Sequence, residues 1–137
     1  AFRTPAGWVE SDRPRGNPTD YKVESPDGTT LAALGSFEAT DPAWLLNSIA
    51  RDRISAANPE NPPGRGAPAE IEVSGADDAL FNEVVVEGTP DDFPGPNAGA
   101  FITAKRGDTV YTLFVFAPDT PENRELVADI VRTLVIG

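Results

Sequence analysis

Cysteine, histidine and methionine are all absent from this chain. Without cysteine there is no disulfide, no thiol nucleophile and no thiolate metal site. Without histidine the usual general base and the commonest transition-metal ligand are missing. Serine chemistry loses its base with it, and no G-x-S-x-G elbow occurs. Positive charge is scarce: 11 basic residues stand against 22 acidic ones, a net charge of −11. A phosphate backbone or an anionic membrane needs clustered lysine and arginine. The scattered basic residues here argue against both, and the acidity reads as a solubility device. No apolar run approaches ~20 residues, so no transmembrane segment is expected. No EF-hand-like spacing of acids appears, and neither a metal nor another cofactor is expected.

What is present is organised around Thr109–Ala117, TVYTLFVFA. Read at period two, one face carries Tyr111, Leu113 and Val115. The other carries Val110, Phe114 and Phe116. β-Branched and aromatic residues on both faces predict a strand that needs cover on both sides. Two amphipathic helices elsewhere can supply it, which predicts an α+β fold, a three-layer α/β/α sandwich on a central antiparallel sheet. At 137 residues the chain is read as one domain, 1–137.

In chain order, Phe2–Glu10 predicts a short strand or strand pair, with Trp8 as a core plug. Tyr21–Glu24 and Leu31–Phe37 flank Ser25-Pro26-Asp27-Gly28, a type I turn and hence a hairpin. Asp41 and Pro42 predict an N-cap and first helical position. In the helix that follows, Leu45, Leu46, Ile49 and Ala50 share the apolar face, with Asn47 and Asp52 pointing away. Trp44 falls almost opposite that face. It is a candidate recognition residue, although a staple-like contact with the entering chain is favoured.

The segment 58–68 holds four prolines and two glycines and is a connection, not an element. Ala69–Ser74 alternates cleanly and predicts a strand, paired with a second strand at Leu80–Glu87. The stretch 88–99 lacks periodicity and is long for a hairpin loop. Asp91, Asp92 and Phe93 at its centre are candidate partner-binding residues, with an inward-tucked Phe93 the equal alternative. Ala100–Lys105 and Thr109–Ala117 form a hairpin around Arg106-Gly107. That turn accounts for the RGD tripeptide at 106–108 without any adhesive role. Thr120 as N-cap and Pro121 after it open a last helix, striped by Leu126, Ile130 and Leu134 and by Val127, Val131 and Val135.

These pieces together resemble the PsbP-like family of α/β/α sandwiches, and more narrowly the actinobacterial LpqN/LpqT-type envelope lipoproteins. The residues that carry the likeness are Phe2 with Gly7-Trp8, the helix start Asp41–Leu46, and Val73–Ala79. The hairpin Gly107–Pro118 and the closing Leu126–Leu134 helix complete it. The resemblance implies a PsbP-like fold, an extracellular or envelope-attached location and a non-enzymatic accessory role. It implies an envelope protein or a lipid-processing protein as partner. It implies no catalytic residues. A lipidated cysteine, if the family pattern holds, lies upstream of Ala1.

Three functions follow as expectations. The first is an exported, non-catalytic binding module of the envelope. The second is a small-ligand or lipid carrier with its pocket between sheet and helix. The third is a hydrolase using two carboxylates, for which the acids are abundant but no pair stands out.

Overall fold

A computed structural model of the chain describes residues 1–11, 21–57, 68–86 and 96–136. Among these, seven strands form one sheet: β1 (Val9–Glu10), β2 (Tyr21–Glu24), β3 (Leu31–Glu38), β4 (Ala69–Glu70), β5 (Asp78–Val86), β6 (Asn97–Arg106) and β7 (Thr109–Pro118). Two helices accompany them, α1 (Ala43–Ala57) and α2 (Pro121–Val131). The spatial order is β1-β2-β3-β7-β6-β5-β4, and every neighbouring pair is antiparallel.

β7 lies at the centre, as its two apolar faces require. Leu113, Val115 and Ala117 join Ile102, Val127 and Val131 in the main core, which α2 closes. Phe114 and Phe116 point the other way and group with Leu31. α1 lies on that second face. Its Asn47 meets Asn82 of β5, whereas the adjacent Phe81 belongs to the α2-side core. Successive strand residues face opposite sides, so the helices sit on opposite faces of the sheet. The fold is the expected α+β sandwich.

The local signals act through identifiable contacts. The Gly28 N–H donates to the Ser25 carbonyl at 2.9 Å, closing the β2–β3 turn. The Asn123 N–H donates to Thr120 Oγ1 at 3.1 Å, so Thr120 is the N-cap of α2 with Pro121 next. Trp8 is half-buried and packs against the main core with Phe2.

Other boundaries move. The Leu46 N–H donates to the Pro42 carbonyl, so the cap of α1 falls on Pro42 and not on Asp41. The Asp41 carbonyl instead accepts from Lys105 Nζ at 2.7 Å. The β6–β7 turn comprises Gly107-Asp108, one residue later than expected. Arg106 pairs with Thr109, and Gly107 takes φ +59 as the first turn residue, the position where a II′ turn wants glycine. β4 has only two residues; the Ile71 N–H still donates to the Ala79 carbonyl of β5 at 3.2 Å, and the chain leaves β5 beyond that bond. Ser74 makes an isolated parallel bridge to Val135 instead. The alternation nonetheless holds, since Ile71 and Val73 pack on the core while Glu70, Glu72 and Ser74 are exposed. Of the stretch 88–99, Asn97, Ala98 and Gly99 belong to β6 and are buried; they are not loop.

The face of α1 is also corrected. Asn47 is only 1 % exposed, whereas Ile49 is 40 % exposed. The reason lies across the interface: Asn82 is buried in β5 and needs a partner. Asn47 Nδ2 donates to Asn82 Oδ1 at 2.9 Å, and Asn82 Nδ2 donates to Asn47 Oδ1 at 2.7 Å. Asn82 Nδ2 also donates to the Phe101 carbonyl, and Arg51 Nη1 donates to Asn82 Oδ1. This amide pair turns the helix so that Ala43 and Asn47 form its buried line.

Candidate functional site

α1 covers the β5–β6 side of its face and leaves a groove towards β7 and β3. The groove is about 540 Å³. Its floor follows from strand register. Thr103 of β6 sits beside Thr112 of β7, which sits beside Gly35 of β3. One step along, Phe101 sits beside Phe114, their rings stacked 5.7 Å apart at 10°. The hydroxyl row meets glycine at its far end, and Gly35 has no side chain to fill the space above it. Leu46, Ile49, Ala50 and Arg53 line the helix side. Their spacing of three, four and seven from Leu46 puts all four on one stripe of α1.

Two polar groups in this groove are unspent. Thr103 is 1 % exposed, and its Oγ1 has no hydrogen-bond partner among the described residues. A buried hydroxyl without a partner costs roughly 1–3 kcal/mol, so such groups are rare in folded chains. Arg53 lines the groove, is exposed, and forms no ion pair or hydrogen bond among the described residues. Arg51, by contrast, bonds Asn82, and Arg124 grips Asp119 at 2.7 and 3.1 Å. Among the described residues the lining contains no carboxylate. The described lining offers apolar area, hydroxyls and the Arg53 cation, a combination that suits binding.

The titrating groups with displaced pKa values lie elsewhere. Asp27 is held at about 2, below the ordinary 3.8, because Ser25 Oγ, Thr29 Oγ1 and the Thr29 N–H all donate to its Oδ1. Arg124 is raised by its contact with Asp119. Both are exposed and serve turns or helix ends.

A second concavity of about 630 Å³ lies among residues 70–79. Its walls include Glu70, Glu72, Asp77 and Asp78. Asp77 Oδ2 already accepts from the Gly107 N–H at 2.7 Å. Among the described residues no cluster of acids is placed to hold a metal ion, and no helix is long and apolar enough to cross a membrane.

Of the residues singled out from sequence, Trp44 is 63 % exposed on α1 and does not line the groove. Asp91, Asp92 and Phe93 lie outside the described residues. Sequence reasoning missed Thr103, Thr112 and Arg53. The available signal was Phe114, a large aromatic on the face that α1 only partly covers.

No family model matches the chain, and no curated protein matches it at a significant level. Among solved structures, the chain is similar to LpqN, a protein involved in cell envelope biogenesis of Mycobacterium tuberculosis. The match has a TM-score of 0.51, covers 94 % of this chain and 79 % of that one, and shows 15 % sequence identity. The fold expected from the resemblance to LpqN-type proteins is thus the fold observed.

Proposed function

We propose that this chain is a non-catalytic accessory protein of the cell envelope that works by binding an envelope protein or a lipid-processing partner. The observation that carries this reading is the shared fold with LpqN over 94 % of the chain. Fold alone supports function by analogy. The composition adds support, because histidine and cysteine are absent. Fractionation of the producing organism, with mass spectrometry of the native N-terminus, tests the reading. Recovery in the envelope or medium, with a leader removed or a lipidated cysteine upstream of Ala1, is the expected result. Recovery in the cytosol without processing would overturn it.

A second reading has its own observation. The groove beneath α1 favours a small-ligand carrier whose ligand lies between sheet and helix. Compounds that bind only the folded chain must raise its melting temperature. A shift with apolar amphiphiles, reduced when Thr112→Trp fills the groove, is expected. No shift across acids, alcohols and glycosides of several chain lengths removes the carrier reading. The carboxylate hydrolase gains no support from this groove, which has no acid among the described residues of its lining.

A further inference from the structure

Building on the carrier reading, we propose that the groove between α1 and the sheet takes an apolar monocarboxylic acid, with its carboxylate on Arg53, its hydrocarbon body over Phe101 and Phe114, and one ligand oxygen on Thr103 Oγ1. Three independent features of the groove combine in this assignment.

The first is the floor. Phe101 and Phe114 stack side by side, and Gly35 leaves the neighbouring row open. That gives a broad apolar surface of the kind that gains by covering with hydrocarbon.

The second is Thr103. Its hydroxyl is nine-tenths and more buried, faces the groove and lacks any partner among the described residues. A ligand oxygen would satisfy it. A purely hydrocarbon ligand would not, and would seal the unmade bond inside.

The third is charge. In a chain where acids outnumber bases 22 to 11, Arg53 has a place at the groove and no anion beside it among the described residues. The planar guanidinium matches a carboxylate through two parallel N–H···O bonds. A doubly charged phosphate head would face one arginine and a net charge of −11, so a single negative charge fits better.

The test is titration calorimetry on the full chain with dodecanoate, dodecanol, dodecyl phosphate and dodecyl maltoside, each below its aggregation threshold. Dodecanoate should bind tighter than dodecanol by about tenfold or more, the size of one charge-assisted hydrogen-bonded contact. Arg53 is exposed, so Arg53→Gln should fold normally and bind the acid and the alcohol alike. Thr103→Val should weaken dodecanoate by roughly three- to tenfold. The same variant should melt at the same or a higher temperature than the parent, because it removes an unsatisfied buried hydroxyl. A threonine with a purely structural role would instead lose stability and leave affinity alone.

The outcomes separate. Equal affinity for acid and alcohol, or tighter binding of the phosphate or the glycoside, overturns the carboxylate assignment and leaves the carrier reading standing. An acid preference that survives Arg53→Gln overturns the role of Arg53. Unchanged affinity in Thr103→Val overturns the role of its hydroxyl. No binding by any of the four probes sinks the carrier reading and this inference together.

Discussion

At the scale of single residues, Asp27, Gly75 and the Asn47–Asn82 pair are each held by a specific physical demand. Asp27 sits in the β2–β3 turn with three donors on one oxygen. Its folded pKa of about 2 lies below the ordinary 3.8. Its stabilisation is therefore full above the unfolded value and is lost as pH falls through the folded one. Asp27→Asn should be less stable than the parent at pH 7, and the gap should close by about pH 2. Chemical denaturation at a series of pH values measures it, and a gap independent of pH would refute it. Gly75 is fixed by backbone geometry. It takes φ +87, and a Cβ there would stand 1.5 Å from the Ile136 carbonyl oxygen. The bridge between Ser74 and Val135 admits no side chain at that point. Asn82 and Asn47 form the third case. Asn82→Ala should cost about 1–3 kcal/mol, because it leaves Asn47 buried and unpaired. The double variant Asn47→Ala/Asn82→Ala should be less destabilised than the sum of the two singles. Additive losses in urea denaturation would show that the amides do not act as a pair.

At the scale of elements, the two helices illustrate how local and tertiary signals divide. α2 is specified locally. Thr120 caps it, Pro121 starts it, and its stripe buries Val127, Ile130 and Val131 against the sheet. Thr120→Ala should cost about 1 kcal/mol, the usual loss when a capping oxygen is removed. Thermal denaturation checks this, and an unchanged melting temperature would mean that Pro121 and packing suffice. Arg132, just past the helix, lies 4.7 Å over the Phe81 ring and covers its edge of the core. α1 is different. The spacing of its leucines and isoleucine pointed to one apolar face, but Asn47 took the buried line and Ile49 did not. The helix covers only part of its sheet face, so apolar periodicity along it is a weak guide. The element extents tell a similar story. β3 and β7 run close to the lengths their alternation implied, because each is paired on both sides. β4 is an edge, and its alternating residues outlast its hydrogen bonds.

At the scale of the whole molecule, a net charge of −11 is spread over a small chain. Self-repulsion of that charge opposes the compact state. Among the described residues, the Arg132–Asp129 ion pair is exposed on both sides and the Arg124–Asp119 pair on the arginine side, so their offset is weak. Melting temperature should rise by a few degrees as salt is raised from about 10 mM to about 200 mM, where the screening length falls below 10 Å. A fall would show that favourable ion pairs outweigh the general repulsion. The same scale explains the groove. Two helices cover a sheet that is seven strands wide, one on each face. α2 lies over the central strands, whereas α1 is drawn towards β5 by the Asn47–Asn82 pair. Among the described residues, part of the second face over β7 and β3 thereby lies open as the groove.

The sequence by itself determined the layered architecture, through the two apolar faces of Thr109–Ala117. It also determined the turn at Ser25–Gly28 and the cap at Thr120. Those features depend on residues near one another in the chain, where turn chemistry, capping and alternation act directly. Only the tertiary structure decided the rotation of α1, the exposure of Trp44 and the place of the groove. Each depends on which residues of distant strands come to lie opposite the helix. Thr103, Thr112 and Gly35 become neighbours only through the registers of β6 with β7 and of β7 with β3. No spacing along the chain encodes that row, and the unpaired hydroxyl at its end exists only once the sheet has closed over it.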